Sequence, residues 1–391
     1  MVERSGTEEL RRRNLAAVLG AAHRHGPLTR AALTSRSGLT RSTIGALVGE
    51  LAGLDLVYET DSGAARVGRP SPLVHANERV VALAVNPDVD AVTVGIVGLG
   101  GKVHRRIRYQ TQAIPSLTEA VNITRAVVEG LSVELAGFDH IAGAGLAIPG
   151  LVNAASGQVR LAPHLGWSDV DVVEPFQRAL DLPTVAANDA TLGTQAESIF
   201  GAAAGYDHAL YLNGSASGIG GGAIVNGMPL TGASGYAGEF GHMVIRPDGT
   251  PCHCGRRGCL ETEVNLERLL GVLNLEQADA DQLEEALSSD GSLPAAREVR
   301  RQTDMLSIAL SNLVNAFNPQ AIVLGGFLGV LLAAGGNRLA EAVRREPVGG
   351  LGSEVRVERA ALGSELLLVG AAEAVFAELL AEPRVIRRAS A

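Results

Sequence analysis

All three cysteines of this chain, Cys252, Cys254 and Cys259, lie in one short stretch, and His242 precedes them by ten positions. Three thiolates and one imidazole are enough donors to close a tetrahedral zinc site. A closed site leaves no position for a reactive water, so this metal would shape a loop and do no chemistry. The alternatives are three buried thiols or one disulfide, but a disulfide leaves an odd cysteine and does not account for the histidine. The sequence therefore predicts one structural zinc per chain.

The donors belong to a longer pattern. It runs as Gly241-His242, nine residues, and then Cys-x-Cys-Gly-x-x-Gly-Cys-x-Glu, ending at Glu261. This pattern resembles the signature of the ROK family (repressor, open reading frame, kinase), and the resemblance extends from about Thr29 to Leu380. The family contains sugar kinases and sugar-responsive repressors. The resemblance implies a two-lobed, actin-like ATPase fold of the sugar kinase type, with the ligand bound between the lobes.

The first 75 residues show the pattern of three helices followed by a hairpin. Apolar residues from Leu15 to Ala22 recur at the spacing of one helical face. Thr29 and Thr40 are placed to cap a second and a third helix, and Gly38 supplies the turn between them. This order is typical of a winged helix-turn-helix domain, in which the helix after the turn enters the major groove and the wing touches the DNA backbone.

In such a domain, the start of the third helix and the loop of the hairpin would contact DNA. The predicted DNA-binding residues are Arg41, Ser42, Thr43, Arg66 and Arg69. Residues 1–77 carry ten arginines against seven acidic residues, whereas the whole chain has a net charge of −9. A basic segment on an acidic body confines DNA contact to that segment. Gly45, Ala46 and Gly49 leave few side chains to read bases, and the alternative is a three-helix core that binds protein or nothing.

From about residue 78, β-rich runs alternate with helical patterns, as in α/β domains. We predict a winged helix-turn-helix domain over 1–77 and a sugar kinase-like sensor domain over 78–391. The first lobe of the sensor would comprise about 78–187 plus 364–391, and the second about 188–363. Residues 275–301 are acidic and then basic, which predicts a solvated helical excursion.

Five polar residues match the positions at which kinases of the family bind a sugar. These are Asn188, Asp189, Glu239, His242 and Glu261. Sugar hydroxyl groups donate and accept hydrogen bonds, so carboxylates and an amide suit them, although solvated surface carboxylates are the alternative. His242 would bind zinc through one ring nitrogen and donate or accept through the other. His164 stands where family kinases commonly have asparagine, and either ligand contact or packing would account for it.

Family kinases open the first lobe with an Asp-x-Gly-x-Thr phosphate loop, whereas this chain has Asn-Pro-Asp-Val-Asp over residues 86–90. Asp88 replaces the glycine, Pro87 removes a backbone donor, and the carboxylates would repel phosphate. A second glycine run, Gly218 to Gly222, and the pair Gly325-Gly326 remain. They could be nucleotide contacts, but tight turns of the fold are the preferred interpretation.

These observations favour a sugar-responsive DNA-binding transcriptional regulator of carbohydrate metabolism, a repressor released by a sugar or sugar derivative, with no catalytic residues. An active ATP-dependent sugar kinase with an added DNA-binding domain is the alternative, and an assembly module that binds neither ligand is a third. Operator DNA, the sugar effector and a second copy, as homodimer or dimer of dimers, are the expected partners. No apolar run reaches the ~18 residues of a membrane span, and the charged start shows no secretory signal. We therefore expect a cytoplasmic protein.

Overall fold

The computed structural model of the protein describes residues 2–61, 71–153 and 156–386. Arg66 and Arg69 lie outside the described residues, so their predicted DNA contact stays a prediction. The chain divides into two compact units. The first combines the residues up to Val152 with Ser156–Ala187 and the C-terminal segment from Leu367, and the second is formed mainly by Asn188–Leu366.

The first unit begins with three helices and a small antiparallel sheet of strand order β1-β3-β2. In chain order these elements are α1 (Val2–His25), β1 (Leu28–Thr29), α2 (Arg30–Ser37), α3 (Arg41–Gly53), β2 (Val57–Thr60) and β3 (Leu73–Ala76). Both predicted caps are present, because Thr29 accepts a hydrogen bond from the Ala32 N–H and Thr40 accepts one from the Thr43 N–H. The sequence did not predict β1, since two residues are too few for an alternating pattern.

The main sheet of the first unit has five strands in the order β11-β7-β4-β5-β6. The strands of this unit are β4 (Val80–Pro87), β5 (Ala91–Gly98), β6 (Val103–Gln110), β7 (His140–Ile148), β8 (Leu151–Val152), β9 (Gln158–Ala162), β10 (Trp167–Asp171) and β11 (Thr184–Asn188). Its further helices are α4 (Leu117–Gly130), α5 (Ser132–Leu135) and α6 (Val173–Leu180). β4 pairs parallel with β7 and antiparallel with β5, and Val80 to Val85 are fully buried. This buried strand matches the continuous apolar run of the sequence.

The second unit has its own five-stranded sheet, of order β14-β13-β12-β15-β16. Its strands are β12 (Ala209–Ser215), β13 (Gly218–Val225), β14 (Met228–Pro229), β15 (Ala321–Gly326) and β16 (Arg356–Arg359). Its helices are α7 (Asp189–Phe200), α8 (Leu260–Glu263), α9 (Leu266–Leu273), α10 (Ala280–Ser289), α11 (Leu293–Phe317), α12 (Phe327–Ala334) and α13 (Arg338–Arg345). The helix α14 (Leu366–Ala381) belongs almost wholly to the first unit.

The predicted helical excursion over residues 275–301 is helical, forming α10 and the start of α11, but it is not wholly solvated. Leu283, Ala295 and Val299 are buried and belong to the apolar core of the second unit. The charges of this segment lie on the outer faces of α10 and α11, while the inner faces are apolar, so net charge was a poor guide to burial.

Polar contacts connect the N-terminal helices to the C-terminal segment within the first unit. Nε2 of the buried His23 is 3.0 Å from Oε1 of Glu373 on α14. The Gly100 N–H donates to Nδ1 of His23 at 2.9 Å, so Nε2 carries the proton that is donated to Glu373. Arg384 donates to Glu50 on α3 at 2.7 Å. Whether residues 1–77 fold as a separate domain stays a prediction, because these contacts place them in one compact unit with the first lobe.

None of the helices in the described part of the chain combines the length and the hydropathy needed to cross a membrane.

Candidate functional site

Three of the four predicted metal donors, the cysteines, lie on a closed loop, residues 243–259, which we call the metal loop. A short 3-10 helix, Phe240–His242, precedes it and α8 follows it. The ends of the loop are joined where the Leu260 N–H donates to the Met243 carbonyl at 2.9 Å. Gly258 has a φ of 68° and packs against the backbone of Arg246, where a side chain would not fit. The loop therefore brings His242 and the three cysteines to one place.

Two of the separations between the four donor atoms match those of a tetrahedral zinc site. Sγ of Cys252 is 3.6 Å from Nδ1 of His242, and Sγ of Cys254 is 3.6 Å from Sγ of Cys259. All four atoms lie within 4.8 Å of one another. With zinc–sulfur bonds of about 2.3 Å and zinc–nitrogen bonds of about 2.0 Å, tetrahedral geometry separates two sulfurs by about 3.8 Å and a sulfur and a nitrogen by about 3.6 Å. These residues form a cluster that can hold a metal ion.

The protonation of the three thiols differs with their surroundings. Burial raises the pKa of Cys252 and of Cys259 above the usual value for a thiol. The Arg256 N–H lowers the pKa of the exposed Cys254 to about 7. A bound dication would stabilise all three as thiolates, because only the deprotonated form is a ligand.

Two of the predicted sugar-binding carboxylates lie beside the two nitrogens of His242. Oε1 of Glu261 is 3.3 Å from Nδ1, and Oε2 of Glu239 is 4.0 Å from Nε2. Burial raises the pKa of Glu239, with the negative charge of Glu261 acting in the same direction and His242 opposing it. Since 47% of the Glu239 side chain is exposed, this desolvation is partial. The structure thus brings Glu239, His242 and Glu261 together, with Nδ1 on the metal side.

Asn188 and Asp189 lie at the junction of β11 and α7. Asn188 caps the helix, and its Oδ1 accepts from the Thr191 N–H at 2.8 Å. Oδ1 of Asp189 accepts from the Ala190 N–H at 2.7 Å and from the Asn188 amide at 3.1 Å. The end of a strand and the first turn of a helix therefore orient both side chains, as the strand-end position predicted.

Strand β13 packs against each element that carries these residues. Gly220 and Gly222 leave room for Ala190 and Thr194 of α7, and Gly221 leaves room for Phe240. A Cβ on Gly218 would lie 2.6 Å from Oε2 of Glu261. Alternate strand residues point to opposite faces, so only glycines allow this close packing on both sides. The interpretation of the Gly218 to Gly222 run as tight turns is wrong, because it forms a strand.

Residues 86–90 comprise the end of β4 and the turn that leads into β5 in the first unit. The Val89 N–H donates to the Asp88 carboxylate at 2.7 Å, and Arg108 pairs with Asp90 at 2.6 Å. Burial raises the pKa of Asp88, and the charge of nearby His164 opposes this effect. At the position that corresponds to the phosphate loop of the family's kinases, the Asp88 carboxylate therefore accepts the Val89 N–H. His164 lies near this carboxylate, and whether it contacts a ligand stays open.

The predicted DNA-reading helix, α3, has an apolar inner face and an outer face with few long side chains. Its buried residues are Ile44, Leu47, Val48 and Leu51. Arg41 and Ser42 are exposed at its start, whereas Thr43 is half-buried beside Thr40. The outer face continues with Ala46 and Gly49, so few side chains project from it.

The sequence did not predict two buried glutamates. Oε1 of Glu263 accepts from the Thr250 N–H at 2.8 Å and connects the metal loop to α8. Oε1 of Glu197 accepts from the Ala361 and Leu362 N–H groups at 3.0 and 2.9 Å. Glu263 is 1% exposed and Glu197 is fully buried. A carboxylate in a helical pattern usually marks a solvated face, so no local signal identified them.

The sequence model of the ROK family matches residues 83–377. This chain belongs to the ROK family. It is 28% identical to a putative xylose repressor of Caldicellulosiruptor over 92% of this chain and 94% of that protein. It is 29% identical to the xylose repressor of Bacillus subtilis over 77% of this chain and 78% of that protein.

Solved structures of ROK proteins have the same fold. A ROK family transcriptional regulator, a homologue of the Escherichia coli MLC protein, superposes with a TM-score of 0.76 at 23% identity, over 95% of this chain and 97% of that one. The ROK hexokinase of Thermus thermophilus superposes with a TM-score of 0.62 at 28% identity, over 77% of this chain and 99% of the kinase. The predicted family and the predicted α/β, sugar kinase-like fold are confirmed, whereas the winged helix-turn-helix assignment of residues 1–77 stays a prediction. The predicted class of function, a sugar-responsive transcriptional regulator, is also confirmed by the similarity to repressors over nearly the whole chain.

Proposed function

We propose that this ROK protein represses transcription by binding operator DNA through its N-terminal helices and is released by a sugar bound in the second unit. The observation that carries the proposal is that one chain combines a capped three-helix segment with five sugar-binding candidates around β13. The putative xylose repressor of Caldicellulosiruptor is similar over 92% of the chain, whereas the hexokinase covers 77% of it.

The sugar would be bound by Asn188, Asp189, Glu239, His242 and Glu261. Carboxylates and an amide on separate elements suit a ligand whose hydroxyl groups each donate and accept. Zinc would bind Nδ1 of His242, leaving Nε2 for the sugar, and would hold His242 and Glu261 at a constant separation. Because the relatives are named xylose repressors, D-xylose is the first sugar to test, followed by D-glucose.

The DNA side of the proposal rests on α3. Arg41, Ser42 and Thr43 would contact DNA at the start of the helix, and Arg66 and Arg69 would contact phosphates from the hairpin. A homodimer would bind two half-sites about 34 Å apart or a multiple of that distance. A sugar that favours one conformation would change operator affinity by roughly 5- to 150-fold for a coupling of about 1–3 kcal/mol. Binding to operator DNA would require a location in the cytoplasm.

Calorimetric titration of D-xylose and D-glucose, with and without an operator selected from random duplexes, tests both sides of this linkage. We expect sugar binding to weaken operator binding, and Asp189→Ala or Glu239→Ala to remove the sugar response while operator affinity stays at the wild-type value. A pocket variant that responds as wild type does would show that the effector site lies elsewhere.

A kinase is the alternative function, because sugar kinases share the fold. The Asp88 carboxylate at the phosphate-loop position disfavours it, since it would repel the nucleotide phosphates. We expect no ADP release above background in a coupled assay with ATP and a panel of hexoses and pentoses. ATP-dependent turnover that disappears in Asp189→Ala would instead establish the kinase.

A further inference from the structure

The Glu261 carboxylate faces three possible donors through a single oxygen. Oε1 lies 3.1 Å from Sγ of Cys252, 3.3 Å from Nδ1 of His242 and 3.3 Å from Nδ1 of His253. His253 stands between two of the cysteines and is 45% exposed. Its ring lies edge-on to that of His242, with centroids 5.1 Å apart.

A metal in the proposed site would remove two of these three donors. A Cys252 thiolate and a metal-bound Nδ1 of His242 carry no proton for Glu261. The carboxylate would then lie about one hydrogen-bond length from a thiolate, and two negative charges so close repel each other. Of the three, only His253 could still donate, through the tautomer with its proton on Nδ1.

We propose that His253 positions Glu261 when the metal is bound, donating to Oε1 so that the carboxylate stays beside the thiolate and Oε2 stays beside Gly218. This inference rests on the proposed metal site and adds a residue to it. Groups that surround the ligands of a metal commonly influence its binding, and their loss weakens metal affinity about 10- to 100-fold.

In this proposal His253 is not itself one of the ligands. It belongs to a second possible donor group, with His242 and Glu261, and its Nδ1 is 4.0 Å from Sγ of Cys252. The cluster of His242 and the three cysteines already supplies four donors, and structural zinc sites are closed at four ligands. A positioning residue and a ligand are distinguishable, because only the loss of a ligand would change the metal's coordination.

The test uses the full-length protein loaded with Zn²⁺ or Co²⁺ and follows metal transfer to a chromogenic chelator. The variants are His253→Ala, His253→Gln, Glu261→Gln and the double variant His253→Ala/Glu261→Gln, and His208→Ala, remote in sequence, is the control. Metal content, the Co²⁺ absorption spectrum and circular dichroism are measured alongside. None of these readouts needs a bound sugar.

We expect His253→Ala to keep one metal per chain and an unchanged tetrahedral Co²⁺ spectrum, but to release the metal about 10- to 100-fold faster than wild type. His253→Gln retains a donor and should stay within about threefold of wild type. The double variant should return towards the wild-type rate, because Glu261→Gln removes the charge that His253 accommodates.

A wild-type release rate in His253→Ala would overturn the proposal. So would equally fast release in the single and double variants, which would show that His253 does not act through Glu261. Loss of the tetrahedral Co²⁺ spectrum in His253→Ala would make it a ligand instead. Wild-type protein that binds no metal would contradict the proposed metal site itself, and this inference with it.

Discussion

The three N-terminal helices and the metal loop are both short segments, but different interactions stabilise them. Helices α1 to α3 bury apolar side chains from each helix, such as Leu15, Leu33 and Leu47. Within residues 243–259, all of which the structure describes, the buried residues are Gly249, Cys252, Gly258 and Cys259. Met243 and Ile245 pack partly buried against the core of the second unit, but this loop has few buried apolar side chains, and the proposed metal would supply further stability. The comparison teaches that losing the metal should affect one region and spare the other.

Metal removal should have the largest effect. We expect Cys254→Ser to lose the metal, to expose the metal loop to proteolysis and to abolish sugar binding, while α1 to α3 keep their hydrogen-exchange protection. Metal analysis and peptide-resolved hydrogen exchange measure both regions in one sample. Arg257→Ala, in the same loop, is the matched control and should keep its metal. Equal loss of protection in the N-terminal helices would contradict the distinction between the two regions.

Breaking the buried pair of His23 and Glu373 should destabilise the N-terminal helices and leave the metal loop unchanged. Glu373→Leu leaves the Nε2–H of the buried histidine without its carboxylate acceptor, which costs about 1–3 kcal/mol for a buried donor that loses its partner. Exchange of the α1 amides should accelerate while metal content stays at one per chain. Glu373→Gln keeps an acceptor for Nε2 of His23 and should cost less. A variant that loses metal together with α1 protection would show that the two regions unfold as one.

Removing the Arg41 side chain, which we propose contacts DNA, should have an intermediate effect on operator binding. We expect Arg41→Ala to weaken operator binding by about 1–3 kcal/mol, roughly 5- to 150-fold, and to leave sugar affinity unchanged. Fluorescence anisotropy at several salt concentrations measures the loss and its salt dependence. Arg178→Ala, an exposed arginine of α6, is the control for net charge. Equal losses in the two variants would mean that Arg41 acts only through charge.

Replacing Gly49 of α3, or Gly20 of α1, by alanine should have the smallest effect. A Cβ on Gly49 would meet nothing within 4 Å, and the same holds for Gly20 in α1. Either change to alanine should therefore stabilise its helix by about 0.5–1 kcal/mol. If the outer face of α3 lies in the groove, Gly49→Ala alone should also lower operator affinity, by a few-fold. Unchanged affinity in both variants would show that this face does not approach the DNA closely.

Much of this architecture follows from local sequence signals. The caps at Thr29 and Thr40 and the apolar spacing of the helices each involve residues within a few positions of one another, so the sequence alone predicts them. The same holds for the four metal donors, because few other arrangements account for all the cysteines together with His242. The Asn188-Asp189 pair at a strand end was likewise predictable, although its sugar-binding role is still a prediction.

Tertiary structure alone decided which distant groups meet. The pairing of His23 with Glu373, the burial of Glu263 beneath the metal loop and the packing of β13 on both faces join residues that no local pattern relates. The approach of three possible donors to Oε1 of Glu261 is also determined by the tertiary structure. The chemistry of each side chain limits the interactions that a residue can make, and this chemistry is known from the sequence. The partner and its distance depend on how the chain folds back on itself, because electrostatic and hydrogen-bond energies change within a few tenths of an ångström to a few ångströms.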